Sequence, residues 1–133
     1  MLAAVASEAP QLVPLSQWLY LKPGALVVPN APPGSPIIQS STGVRQGDPC
    51  GPLFFALTIQ PILQRVQQIV PDVRMVAYLD DIVLQGKRHD VQRAYSDLRR
   101  QISEAGLYIQ RDKSLIYSPH PQEADWLAHQ LGI

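Results

Sequence analysis

The sequence predicts an α+β fold, in which an antiparallel sheet carries helices packed against it. Short β-rich runs come in pairs around turn signals, and two stretches of helical apolar period are separated by one such pair. The composition, 133 residues of which 46% are hydrophobic, suits one globular unit with a real core.

Trp18-Leu19-Tyr20-Leu21 and Ala25-Leu26-Val27-Val28 flank the turn signal Lys22-Pro23-Gly24, which predicts a hairpin, and Ile37-Ile38 can return as a further short strand. Pro10, Pro14, Pro23, Pro29, Pro32 and Pro33 exclude a long helix from this region, and residues 29–34 read as a loop. Glu8 falls in a short helical piece before Pro10. From Pro52 to about residue 69, Leu53, Leu57, Ile59, Ile62, Leu63, Val66 and Ile69 follow near-helical spacing, with Pro52 suited to the first turn. Pro61 lies inside this stretch and is expected to kink or split it.

Val73-Arg74-Met75-Val76-Ala77-Tyr78-Leu79 and Ile82-Val83-Leu84 form a second expected hairpin with Asp80 and Asp81 at its tip. Beyond it, Val91, Ala94, Tyr95, Leu98, Ile102 and Ala105 define a helix with Asp90 as N-cap and Gly106 as its stop. Leu107-Tyr108-Ile109 and Ser114-Leu115-Ile116-Tyr117 then read as strands, and a last short helix spans 122–129.

Charge is spread unevenly. Residues 1–44 hold only Glu8 and Lys22, whereas residues 87–133 hold seven basic and six acidic groups. The 11 basic and 11 acidic groups of the whole chain cancel to a formal net charge of +0, although proteins that grip nucleic acid usually carry a basic excess. Cys50, the single cysteine, excludes an intramolecular disulfide and a cysteine-built zinc site, and fits a reducing compartment. Residues 1–9 lack a basic leader and contain Glu8, so neither a secretory signal nor a membrane span is expected. The expected location is intracellular, nuclear or cytoplasmic, with no membrane partner.

Asp80 and Asp81 are adjacent carboxylates between apolar strands, where like charges oppose one another. A divalent cation removes that cost, and Mg²⁺ takes one or two carboxylates together with substrate phosphates. The pair can serve one ion only if the chain turns between them, because strand neighbours point to opposite faces. A solvated Asp-Asp turn is the plainer reading, since Asp is a favoured turn residue. Residues 43–57, Gly43-Val44-Arg45-Gln46-Gly47-Asp48-Pro49-Cys50-Gly51-Pro52-Leu53-Phe54-Phe55-Ala56-Leu57, place glycines, a cation and an amide ahead of an apolar helix. Such a loop lets a phosphate, sugar or base approach the backbone, with Arg45 facing phosphate and Gln46 offering a donor and an acceptor. A glycine-rich helix entry is more often the chemistry of an ordinary turn, which is the plainer reading.

Taken in order, the 43–57 block, Ala77-Tyr78-Leu79-Asp80-Asp81 about thirty residues on, and Ala105-Gly106-Leu107 with Lys113-Ser114 resemble motifs B, C and D of the reverse transcriptase palm. The likeness is nearest to the non-LTR retrotransposon type and covers most of the chain. It implies a partial polymerase palm over 1–133, with Trp18-Leu19-Tyr20 in a hairpin before motif B and Leu131-Gly132-Ile133 at the approach to the thumb.

By the same resemblance, Asp80 is the main metal-binding carboxylate and Asp81 its helper, with Mg²⁺ or Mn²⁺ as cofactor. Tyr78 lies near the primer end, Gln46 and Gly47 lie against the incoming nucleotide and template, and Lys113 lies by the leaving pyrophosphate. The implied partners are an RNA template, a DNA primer, deoxynucleotides and the remaining parts of the parent polymerase. The reaction is in-line attack of a primer 3′-hydroxyl on an α-phosphate under two-metal catalysis.

The sequence departs from the family pattern at motif A, a strand bearing a further aspartate, because Glu8 is the only acid ahead of residue 45. Motif A and most of the fingers are expected upstream, and the thumb downstream. The isolated chain is therefore expected to be inactive, and the alternative is a retroelement remnant with at most weak nucleic-acid binding. A palm holds acidic ligands at its centre and leaves much of the basic grip to fingers and thumb, which accommodates the zero net charge. Lys87, Arg88, Arg93, Arg99 and Arg100 cluster around one helix and can either track a phosphate backbone or form a solvated face. His89, His120 and His129 are scattered and read as surface residues.

Overall fold

The computed structural model describes residues 1–26 and 28–133, so Val27 of the expected first hairpin lies outside the described residues. The chain forms two compact units, Met1–Thr58 and Ile59–Ile133. The α+β expectation holds, and among the described residues the strands form two separate two-stranded antiparallel sheets.

The first unit begins with helix α1 (Leu2–Glu8), where alanines favour the helix and Val5 is fully buried. Pro10 ends it, because a proline disfavours helical backbone in the residue before it. A single 3₁₀ turn over Pro10–Leu12 leads into helix α2 (Val13–Tyr20), which holds Pro14 in its first turn. This corrects the expected strand at 18–21. The aromatic run looks β-forming, but Pro14 is placed to start a helix, and the fully buried Ser16 satisfies its hydroxyl on the carbonyl of Val13 at 2.9 Å. Strand β1 (Gly24–Leu26) pairs instead with β2 (Ile38–Ser40), in the register Gly24↔Ser40, Ala25↔Gln39 and Leu26↔Ile38. The expected return strand at Ile37-Ile38 is thus real, shifted by one residue and paired with the chain after Pro23.

Helix α3 (Gly51–Ile69) continues for 19 residues with Pro61 inside it, so the proline does not split it. The lost backbone bond at one position is outweighed by a buried face comprising Phe54, Ile59, Ile62, Leu63 and Val66.

In the second unit, β3 (Arg74–Tyr78) and β4 (Asp81–Gln85) form the expected hairpin in the register Arg74↔Gln85 through Tyr78↔Asp81. Met75, Ile82 and Leu84 lie on its half-buried face. Helix α4 (Arg88–Glu104) buries Ala94, Tyr95, Leu98, Gln101 and Ile102 at helical spacing. Its N-cap is Lys87, and Asp90 falls in the first turn, where a carboxylate faces the positive end of the helix dipole. This displaces the expected cap by three residues. The stop at Gly106 is as expected: Gly106 adopts φ +78°, its N–H donates to Ser103 at 3.0 Å and that of Leu107 to Ile102 at 3.0 Å. This pairing is a Schellman closure, which glycine permits at no steric cost.

The strands expected at 107–109 and 114–117 do not form. Tyr108, Leu115 and Tyr117 are 77%, 95% and 92% exposed and no strand lies beside them among the described residues, while a 3₁₀ turn over Arg111–Lys113 separates the two runs. Alternation alone does not make a strand when no edge receives its hydrogen bonds. Ile109 and Ile116 instead pack against Tyr95, Leu127 and Leu131, a cluster that joins α4 to the last helix, α5 (Pro121–Leu131).

Candidate functional site

Within the second unit, Tyr78, Asp80 and Asp81 meet at the tip of the β3–β4 hairpin. The register Tyr78↔Asp81 leaves Leu79 and Asp80 as a two-residue turn. Leu79 sits at φ +54°, a left-handed conformation that is rare for a bulky apolar residue. A positive φ at the first turn residue suits the right-handed twist of a hairpin, so the backbone accepts the strain where the pairing demands it. Asp80 therefore stands in the turn and Asp81 at the first ladder position, both exposed, with Tyr78 76% exposed beside them. The turn that the paired carboxylates require is present.

Among the described residues, no third His, Cys, Asp or Glu joins Asp80 and Asp81 in a group able to hold a metal ion. Two exposed carboxylates fit Mg²⁺ that completes its shell with water and phosphate oxygens, and they do not form an all-protein cage. Lys113 is exposed in the 3₁₀ turn Arg111–Lys113, with no hydrogen bond from its side chain to another described residue. The basic face of α4 is partly neutralised: Arg100 binds Asp97 and, at 2.8 Å, Glu104.

Within the first unit, Arg45, Gln46 and Gly47 share one loop ahead of α3. The loop is two consecutive turns, with Asp48 N–H donating to Arg45 at 3.2 Å and Gly51 N–H to Asp48 at 2.9 Å. Gly47 adopts φ +83° with nothing within 4 Å of a notional Cβ, so glycine is needed there for its backbone. Asp48 turns its carboxylate onto the chain ahead: Oδ1 accepts the Cys50 N–H at 2.8 Å. Its Oδ2 accepts the hydroxyl of Tyr20, and that hydroxyl in turn accepts the Arg45 N–H at 3.2 Å. The bond from Tyr20, then that from Cys50, holds the Asp48 carboxyl below its ordinary pKa of 3.8. Burial, then the bond to Asp48, raises Tyr20 above its ordinary 10.0. The Arg45 guanidinium lies over the Tyr20 ring, 5.4 Å from its centroid. Gln46 is exposed.

Tyr20 belongs to this loop although no sequence signal tied it there. Its partner Asp48 lies 28 residues away, and the aromatic run around it reads as a strand. Pro14, placed to open a helix, is the signal that could have put Tyr20 at a helix end.

The fold is that of a partial polymerase palm, an α+β arrangement with paired carboxylates carried on an antiparallel hairpin. The family model for reverse transcriptase (RNA-dependent DNA polymerase) matches residues 8–131, and the chain belongs to that family. Two relatives agree. A retrotransposable element SLACS 132 kDa protein from Trypanosoma brucei gambiense is 30% identical over 76 residues, 57% of this chain and 6% of that protein. A Gag-Pol polyprotein of bovine immunodeficiency virus is 26% identical over 68 residues, 51% of this chain and 5% of the polyprotein. The chain thus spans only a small part of the length of these relatives. No solved structure matches it. No helix among the described residues is long and apolar enough to cross a membrane.

Proposed function

We propose that the chain is the palm segment of a larger RNA-directed DNA polymerase of non-LTR retrotransposon type, with motif A, most of the fingers and the thumb on other parts of the parent protein. The observation that supports this most is the exposed Asp80 and Asp81 pair at a hairpin tip in a chain of this family.

Asp80 is the main ligand and Asp81 the helper for Mg²⁺ or Mn²⁺. Held there, a divalent ion would supply positive charge to neutralise the phosphate that reacts. Tyr78 offers its exposed ring to the primer end. Gln46 and the bare backbone at Gly47 contact the incoming nucleotide and template, and Arg45 lends its charge to a phosphate. The primer 3′-hydroxyl attacks the α-phosphorus in line and pyrophosphate leaves, with the positive charge of Lys113 beside it. The partners are an RNA template, a DNA primer and deoxynucleotides.

Primer extension on RNA, with Mg²⁺ or Mn²⁺, tests this in the longer polypeptide encoded by the same reading frame. Extension that falls to background in Asp80→Asn is expected, and activity that survives Asp80→Asn removes the assignment.

A second reading is an inactive retroelement remnant, which is equally compatible with the lack of a third carboxylate beside the pair among the described residues. It predicts no extension by the longer polypeptide and at most weak binding to an RNA–DNA hybrid that fades as salt rises.

A further inference from the structure

We infer that Tyr20, which lies outside the stretches likened to motifs B, C and D, is a positioning residue that clamps the 45–50 loop and so holds Gln46 and Gly47 for the nucleotide and template. The inference rests on the reading of that loop given above, and its geometry stands apart from it.

The loop needs an external tether. Gly43 and Gly47 both adopt positive φ with nothing within 4 Å of a notional Cβ, so neither is fixed by packing. The turns at Arg45, Asp48 and Gly51 set the local shape but tie the loop only to itself. Tyr20, at the C-terminal end of α2, supplies the link to another element.

Its hydroxyl is used twice, donating to Asp48 Oδ2 and accepting the Arg45 N–H at 3.2 Å. Its ring carries the Arg45 guanidinium on one face and meets the buried ring of Phe54 edge-on, with centroids 5.8 Å apart. Arg45 is further confined by Gly24, where a Cβ would stand 3.0 Å from the guanidinium. The two clamped positions, Arg45 and Asp48, bracket Gln46 and Gly47. One hydroxyl thereby fixes both ends of the segment assigned to substrate, while the same ring anchors it to α3. Such support from outside a site is what keeps contact groups within productive range.

Cys50 is a native reporter of the clamp, because it is the only thiol and its N–H is bonded to the same carboxylate. Labelling of Cys50 by 4,4′-dithiodipyridine in this chain is expected to accelerate at least fivefold in Tyr20→Phe, which keeps the ring and removes the hydroxyl. Asp48→Asn should accelerate it similarly, and the double variant no further than the faster single one. In the active longer polypeptide, Tyr20→Phe should raise KM for the deoxynucleotide at least fivefold with kcat within twofold. Unchanged labelling in both single variants overturns the clamp, whatever the polymerase does. Faster labelling with an unchanged KM in an active polymerase overturns its role in holding substrate. If the longer polypeptide does not extend primers, labelling still decides the clamp, and that failure counts against the polymerase reading.

Discussion

The side-chain amide of Gln67 donates to the main-chain carbonyl of Val73 at 2.8 Å, and it also reaches the carbonyls of Pro71 at 3.2 Å and Val70 at 3.4 Å. These carbonyls belong to the turn between α3 and β3, so one amide closes the helix end and fixes where the acid-bearing hairpin begins. Val70 and Val73 are buried there; the Val70 carbonyl already accepts the Val73 N–H at 3.3 Å, whereas the Val73 carbonyl takes the shortest of the amide's bonds. Gln67→Ala should lower stability by about 1–2 kcal/mol, the cost of leaving the Val73 carbonyl without its side-chain donor. Gln67→Glu should lose nearly as much, because a carboxylate cannot donate. A urea titration of each variant measures this, and a Gln67→Glu variant as stable as the parent would show that the amide is not acting as donor.

Leu79 makes the second prediction. At φ +54° a leucine bears about 1–2 kcal/mol of steric cost, whereas Asn visits this region readily. Leu79→Asn should therefore be neutral or stabilising by up to about 1 kcal/mol, despite the loss of a partly exposed apolar side chain. Leu79→Val should destabilise by about 1–2 kcal/mol, because a β-branched residue is least tolerant of positive φ. Chemical denaturation of the two variants orders them, and Val above Asn would show that the turn takes another backbone shape in solution.

Legibility in the sequence followed the range of the interactions. The β3–β4 hairpin, α4 with its stop at Gly106, and α5 rest on local period and turn chemistry, and each was readable from its own residues. The acidic tip was readable for the same reason. The misreadings arose where a partner decides the outcome. Leu107-Tyr108-Ile109 has the composition of a strand and no strand to join, and Trp18-Leu19-Tyr20 has β-forming side chains on a segment that Pro14 starts as a helix. The Tyr20 to Asp48 bond spans 28 residues and leaves no periodicity behind, so only the folded chain reveals it.

That bond sets a pH window. Asp48 is held below its ordinary 3.8, so its contribution is present above that value and is lost as pH falls through the lower folded one. Tyr20 is raised above 10.0, so its contribution is present below that value and is lost as pH climbs through the higher folded one. The parent alone does not isolate the pair in acid, because Asp97 also titrates there. Burial raises its carboxyl, but bonds from Arg100 and Gln101 outweigh this and leave it lowered. The stability difference between parent and Tyr20→Phe does isolate it. That difference should be flat from about pH 5 to about pH 9 and shrink below and above. A difference that grows toward acid would assign the stabilisation to some other group.

Tyr95 gives the last and sharpest contrast. It is 8% exposed among Leu127, Leu131 and their neighbours, and its hydroxyl has no hydrogen-bond partner among the described residues. A buried hydroxyl without a partner costs about 1–3 kcal/mol of desolvation, so its removal should help rather than harm. Tyr95→Phe is expected to leave stability unchanged or raise it by about 1 kcal/mol. Leu98→Ala, three residues on along the same buried face, should cost about 2–5 kcal/mol by opening a cavity in a 2% exposed position. Thermal and urea melts of the two variants should therefore move in opposite directions or differ by several kcal/mol. If Tyr95→Phe destabilises by more than about 1 kcal/mol, the hydroxyl is bonded in solution, and the contact between α4 and α5 is held by a polar link as well as by packing.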